Sequence, residues 1–109
     1  MTKLKIDSSL MFDPVKVGDM AAELEQVGFD GAYTFEGQND PFISVAAAAM
    51  KTTQLELMTS IAVAFARNPM NMAYQANDLQ LLSQGRFILG LGTQVKAHIE
   101  RRFNMEWSK

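Results

Sequence analysis

The stretch Gly28-Phe29-Asp30-Gly31-Ala32-Tyr33-Thr34-Phe35-Glu36-Gly37-Gln38-Asn39-Asp40-Pro41 holds the signals of one complete structural joint. Gly28 sits where a helix C-terminal glycine belongs. Gly31 to Phe35 reads as a short strand, and Thr34 to Asn39 as the loop that follows it. Asp40-Pro41 is a helix start: the aspartate oxygen caps an orphan N–H, and proline at the first helical position forfeits no hydrogen bond.

The same joint recurs on both sides. The chain has 109 residues and three prolines, Pro14, Pro41 and Pro69, each preceded by Asp or Asn (Asp13, Asp40, Asn68) and spaced 27 and 28 residues apart. A β-like run precedes each start: Leu4-Lys5-Ile6, Gly31 to Phe35, and Leu55 to Phe65. A helical pattern follows, as in Val17, Met20, Ala21, Leu24 and Val27 before Gly28. In the third unit Met72, Tyr74, Ala76, Leu79 and Leu82 are less cleanly periodic, and Gly85 again falls just past the end. A fourth strand, Arg86 to Leu91, runs into Gly90-Leu91-Gly92, and Val95 to Phe103 reads as a further helix. The expected strands are residues 3–8, 31–35, 55–63 and 86–91. Strands alternating with helices at a near-constant period imply parallel pairing with right-handed crossovers. Leu57, Met58, Ile61, Ala62 and Val63 are apolar on both parities, which predicts a strand covered on both faces.

Two architectures fit. A doubly wound sheet could be complete at this length, with strand order 2-1-3-4. A (β/α)₈ barrel needs about 250 residues, so this chain would be its N-terminal half, with order 1-2-3-4. Residues Ser8 to Phe12 contain no glycine, so the first strand-to-helix junction has no dinucleotide or Walker loop.

Composition narrows the function classes. Hydrophobic residues make up 48% and charged residues 20%, the balance of one soluble globular domain over residues 1–109. Net charge is −2, and Arg101-Arg102 is too small a basic footprint for nucleic acid. With no cysteine and a single histidine, His98, a zinc site is not expected. His98 reads as a solvated helix residue and the methionines as core filler. The longest apolar run, Val45 to Met50, is far short of a membrane span, and the N-terminus has no apolar signal-peptide core; a cytoplasmic location is expected.

Four passages, in order, resemble the luciferase-like flavin and deazaflavin oxidoreductases. They are Gln26-Val27-Gly28-Phe29-Asp30-Gly31-Ala32-Tyr33; Glu36-Gly37-Gln38-Asn39-Asp40-Pro41-Phe42; Thr59 to Met70; and Leu82-Ser83-Gln84-Gly85-Arg86-Phe87-Ile88-Leu89-Gly90-Leu91-Gly92-Thr93-Gln94. The tail Ala97 to Phe103 is similar to the deazaflavin-dependent subgroup. The resemblance implies the N-terminal half of a TIM barrel, with the site at the C-terminal ends of the strands. It implies hydride transfer with the reduced 8-hydroxy-5-deazaflavin coenzyme or, alternatively, a monooxygenase that uses reduced FMN and oxygen, in either case acting on a small-molecule substrate. It further implies a non-proline cis peptide at Ser60-Ile61 behind the cofactor ring, and an acidic or imidazole side chain, here Glu36, as the catalytic group near the ring. Arg67 would hold an anionic group. Gly90, Gly92, Thr93 and Gln94 would let a ring oxygen or phosphate meet backbone N–H groups. Each has a plainer reading: a solvated Glu36, a surface Arg67, Asn68 as a helix cap only, and glycines that serve tight strand packing. A non-catalytic half barrel and a small flavodoxin-like binding domain remain alternatives. A half barrel would lack turnover by itself and would leave strand edges through which copies self-associate.

Overall fold

The computed structural model describes residues 4–11, 13–93 and 101. Gln94, His98 and most of the helix expected at 95–103 lie outside them. The elements are β1 (Asp7–Ser9), α1 (Val17–Val27), β2 (Gly31–Thr34), α2 (Pro41–Lys51), β3 (Glu56–Thr59), β4 (Ala62–Val63), a single 3₁₀ turn (Ala64–Ala66), α3 (Pro69–Leu82), β5 (Phe87–Ile88) and β6 (Leu91–Gly92).

The main sheet has the order β1-β2-β3-β5, every pair parallel. Strands therefore lie side by side in chain order, as a barrel requires and a 2-1-3-4 sheet does not. β4 and β6 form a second parallel pair.

The proline joints do what their chemistry dictates. Asp40 Oδ1 accepts from Phe42 N–H at 2.8 Å, and Asn68 Oδ1 from Met70 N–H at 2.8 Å, with Pro41 and Pro69 in the first turn of α2 and α3. Asp13 differs. Its carboxylate accepts from Val15 and Lys16 N–H, and its carbonyl from Lys16 and Val17. A turn therefore intervenes before α1 begins at Val17. Gly28 ends α1 with φ 110°, a left-handed conformation that glycine adopts without a Cβ penalty.

Three expected strands need correction. The first, at 3–8, is β1 at 7–9, because Ile6 is tied to Asp30 through both its N–H and its carbonyl. The third, at 55–63, breaks into β3 and β4 at Ser60-Ile61. The fourth, at 86–91, breaks into β5 and β6. The two breaks face each other: Ala62 N–H donates to the Gly90 carbonyl at 2.9 Å, so both strands change partner at one level.

Register and burial identify the two faces of the sheet. Ser8, Ala32, Leu57 and Phe87 share a row. Its apolar members are buried with Val17, Ala21, Phe42, Val45, Ala48 and Leu79 of the helices. The opposite row, Ser9, Tyr33, Met58 and Ile88, is half-buried or exposed. β3 is thus covered on one face rather than two, because among the described residues no strand lies across the sheet from it. In a closed barrel that row points into the interior.

At the opposite end from the strand C-termini, Glu25 locks α1 to the loop before β3. Its carboxylate accepts from Thr53, Gln54 and Leu55 N–H at 2.7–3.2 Å. Burial pushes its pKa up, but these three bonds, aided by Arg86, outweigh that and hold the carboxyl below its ordinary value of 4.5. Glu25→Ala is expected to cost roughly 1–3 kcal/mol at pH 7, because it takes the acceptor from the part-buried Leu55 N–H along with the bonds to exposed Thr53 and Gln54. A depressed folded pKa adds stability above the unfolded value and loses it as pH falls through the folded one. The gap between wild type and variant in urea melts should therefore narrow below pH 4.5; a gap independent of pH would refute the role.

Candidate functional site

The strand C-termini converge on one end of the sheet. A cavity of about 280 Å³ opens there, lined by Met11 after β1, by Thr34, Phe35, Gln38 and Asn39 of β2 and its loop, and by Ser44 of α2. Gly37 completes the lining. The wall combines an aromatic and a thioether face with two amides and two hydroxyls. Such a lining suits a flat, largely uncharged heteroaromatic ring with polar edges.

Glu36 stands between two cavity residues, Phe35 and Gly37, yet its side chain is 8% exposed and turned toward β4. Its Oε1 accepts from Val63 N–H at 3.0 Å, and its own N–H donates to the Ile61 carbonyl at 3.1 Å. Arg67 Nη2 lies 2.8 Å from Oε1 and 3.0 Å from Oε2. The guanidinium is not a surface group: it stacks over the Phe42 ring at 4.8 Å and sits 3.7 Å from Asp40. Its Nε is buried and meets no acceptor among the described residues.

The Ser60-Ile61 peptide is cis. Ser60 N–H donates to the Thr34 carbonyl at 2.7 Å, which seats this turn against the end of β2. Ile61 packs across Gly92, where a Cβ would fall 2.6 Å from Ile61 Cδ1. At Gly90 a Cβ would fall 2.1 Å from the Thr59 carbonyl oxygen. The close approach both glycines permit is that of the neighbouring strand. Thr93 is exposed just beyond β6. Asn68 is a helix cap.

The structure therefore brings Glu36, Arg67, Ile61 and Gly92 into one cluster, with Ser60 exposed at its edge. Met11 and Ser44 line the cavity without having been singled out from sequence. Met11 lies just past the first strand end, and that position was its only signal. Among the described residues no group of three or more His, Cys, Asp or Glu could hold a metal ion, and no helix is long and apolar enough to cross a membrane.

Parallel strands in chain order, helices on one face and a cleft at the strand C-termini define a segment of a barrel-type α/β enzyme fold. The chain belongs to the luciferase-like monooxygenase family, which it matches over residues 4–109. It is 52% identical over 105 residues to an uncharacterized protein of Mycobacterium tuberculosis, covering 96% of this chain and 31% of that protein. It is 32% identical over 97 residues to a putative coenzyme F420-dependent oxidoreductase of the same organism, covering 88% and 28%. It superimposes with a TM-score of 0.79, at 17% identity, on the FMN-bound oxygenating constituent of 3,6-diketocamphane monooxygenase from Pseudomonas putida, covering 94% of this chain and 33% of that one. The chain thus spans about a third of the length of the curated relatives it matches.

Proposed function

We propose that this chain forms the β1-to-β6 side of the cofactor site of a deazaflavin-dependent oxidoreductase. The observation that carries the reading is the convergence, at one end of the sheet, of the cavity beside Phe35, the Ser60-Ile61 turn and the Gly92-Thr93 strand end. A bound 8-hydroxy-5-deazaflavin coenzyme would supply hydride chemistry, and reduced FMN in its place would supply oxygen chemistry. The chain's part is to bind and shield it. Phe35 and Met11 offer apolar contact, Gln38 and Asn39 offer amides to ring edges, and Ser60, Ile61, Gly92 and Thr93 back the ring. Deazaflavin ranks ahead of FMN because a relative at 32% identity is named F420-dependent, whereas the FMN-bound neighbour shares 17%.

Fluorescence titration of the 109-residue chain tests this. Deazaflavin is expected to bind at least tenfold more tightly than FMN, without turnover by this polypeptide. In barrel enzymes catalytic groups come from many strand ends, and the open row Ser9, Tyr33, Met58 and Ile88 would leave a bound ring facing water. Tighter FMN binding would transfer the reading to a reduced-FMN monooxygenase. Failure of both cofactors to bind would overturn it.

A further inference from the structure

We infer that Glu36 and Arg67 act as a positioning pair that sets the backbone from Ser60 to Val63, and that Glu36 is not the acid–base group of the site. The inference rests on the cofactor reading above only where it concerns affinity; its structural part stands on the contacts themselves. One residue grips this segment at two points. The Glu36 N–H holds the Ile61 carbonyl at 3.1 Å, and its Oε1 holds the Val63 N–H at 3.0 Å. Val63 and Ala62 are fully buried, so a Val63 N–H without this acceptor would be stranded away from water. A two-residue strand with so short a ladder needs such a side-chain acceptor to stay in place.

Arg67 fixes the carboxylate in turn. Its Nη2 contacts both oxygens, and its side chain is 13% exposed, held flat on Phe42. A carboxylate committed to a backbone donor and a guanidinium, turned toward β4 and away from the cavity that its neighbours Phe35 and Gly37 line, is poorly placed to exchange protons with a substrate. It is well placed to carry the position of the β2 loop into the turn at Ser60-Ile61. Removing Arg67 would take a counter-charge from the buried carboxylate and loosen its hold on Val63.

Amide hydrogen exchange of the full chain, followed residue by residue, reads this directly. Glu36→Ala is expected to speed exchange at Val63 by at least 100-fold while Ala32 and Leu57 in the main sheet stay within threefold. Glu36→Gln keeps a carbonyl acceptor and should hold Val63 within about tenfold of wild type. Arg67→Met should speed Val63 at least tenfold with the main sheet intact, and this variant decides the matter where Glu36→Ala fails to fold. Unchanged Val63 exchange in the folded alanine or methionine variant overturns the positioning role. In the same samples, deazaflavin affinity should fall at least tenfold in Glu36→Ala and stay within threefold in Glu36→Gln. Wild type that binds no cofactor would overturn the cofactor reading and leave the exchange result standing.

Discussion

Arg86→Met is expected to lower stability by about 3–5 kcal/mol. The guanidinium has five N–H donors, and every one is used. Nε donates to the Ser83 carbonyl at 2.7 Å. Nη1 donates to Thr52 Oγ1 and the Leu55 carbonyl, both at 2.8 Å, and Nη2 to the carbonyls of Thr52 at 3.0 Å and Ala49 at 3.3 Å. These acceptors belong to the C-terminal end of α2, the start of the run into β3, and the end of α3. Helix C-termini leave carbonyls without intrahelical partners, and Ala49, Thr52, Leu55 and Ser83 are all buried. Methionine would fill similar volume and leave these oxygens unpaired where water reaches poorly. Lysine at this position keeps the charge but brings three donors without a planar fork, so Arg86→Lys should recover less than half of the loss. Urea denaturation of the three proteins measures it, and the methionine variant should also melt roughly 12 °C or more below wild type. A loss under about 1 kcal/mol would mean that water re-satisfies the carbonyls and that Arg86 is not the bolt it looks like.

Arg86 also shows where sequence reading stopped. Its place in Leu82-Ser83-Gln84-Gly85-Arg86 marked a family resemblance and the start of a strand, but no local pattern says that its partners other than Ser83 lie 31 to 37 residues back. The joints were legible because their chemistry is local: Asp40-Pro41 and Asn68-Pro69 cap helices with atoms two residues away. The near-constant repeat implied parallel strands but fitted two orders, and it was the family resemblance that pointed to the barrel order that the sheet shows. The breaks at Ser60-Ile61 and Leu89-Gly90 were not legible from periodicity, since apolar residues resume at Ile61, Ala62 and Val63 right after Thr59-Ser60, and the first break is held by Glu36 and Gly90 from distant parts of the chain. Likewise the mutual pairing of Glu36 and Arg67, 31 residues apart, cannot be read from either neighbourhood. The two residues were picked singly, for different roles, and the fold joins them.

Gly90→Ala is expected to dismantle the site end of the sheet. An added Cβ would lie 2.1 Å from the Thr59 carbonyl oxygen and 3.2 Å from its carbon. Both are main-chain atoms of a buried strand, so no side-chain rotation relieves the contact and the two strands must separate. That separation undoes more than one bond. Gly90 N–H donates to Thr59 Oγ1 and Thr59 Oγ1 donates back to the Gly90 carbonyl, each at 2.9 Å, while the same carbonyl accepts from Ala62 N–H. These links are where pairing passes from β3–β5 to β4–β6. Overpacking by one carbon ordinarily costs about 1–3 kcal/mol. A backbone-on-backbone collision that also breaks this network should cost about 3 kcal/mol or more, and it should displace Ile61 from Gly92. Gly37→Ala is the matched control, because the nearest atoms to its Cβ would be those of Phe35, the ring at 3.5 Å and the carbonyl oxygen at 4.0 Å, both ordinary contacts, and its φ is not in the left-handed range. It should stay within about 0.5 kcal/mol of wild type. Amide spectra of Gly90→Ala should show Ala62, Val63 and Gly92 shifted or lost. The β1–β2 pair, whose register from Asp7–Gly31 to Ser9–Tyr33 ends one residue short of Thr34, the β2 residue paired with Thr59, should remain. If Gly90→Ala proves as stable as Gly37→Ala, with those amides unmoved, then the close crossing of Thr59 and Gly90 does not hold the two halves of these strands in register.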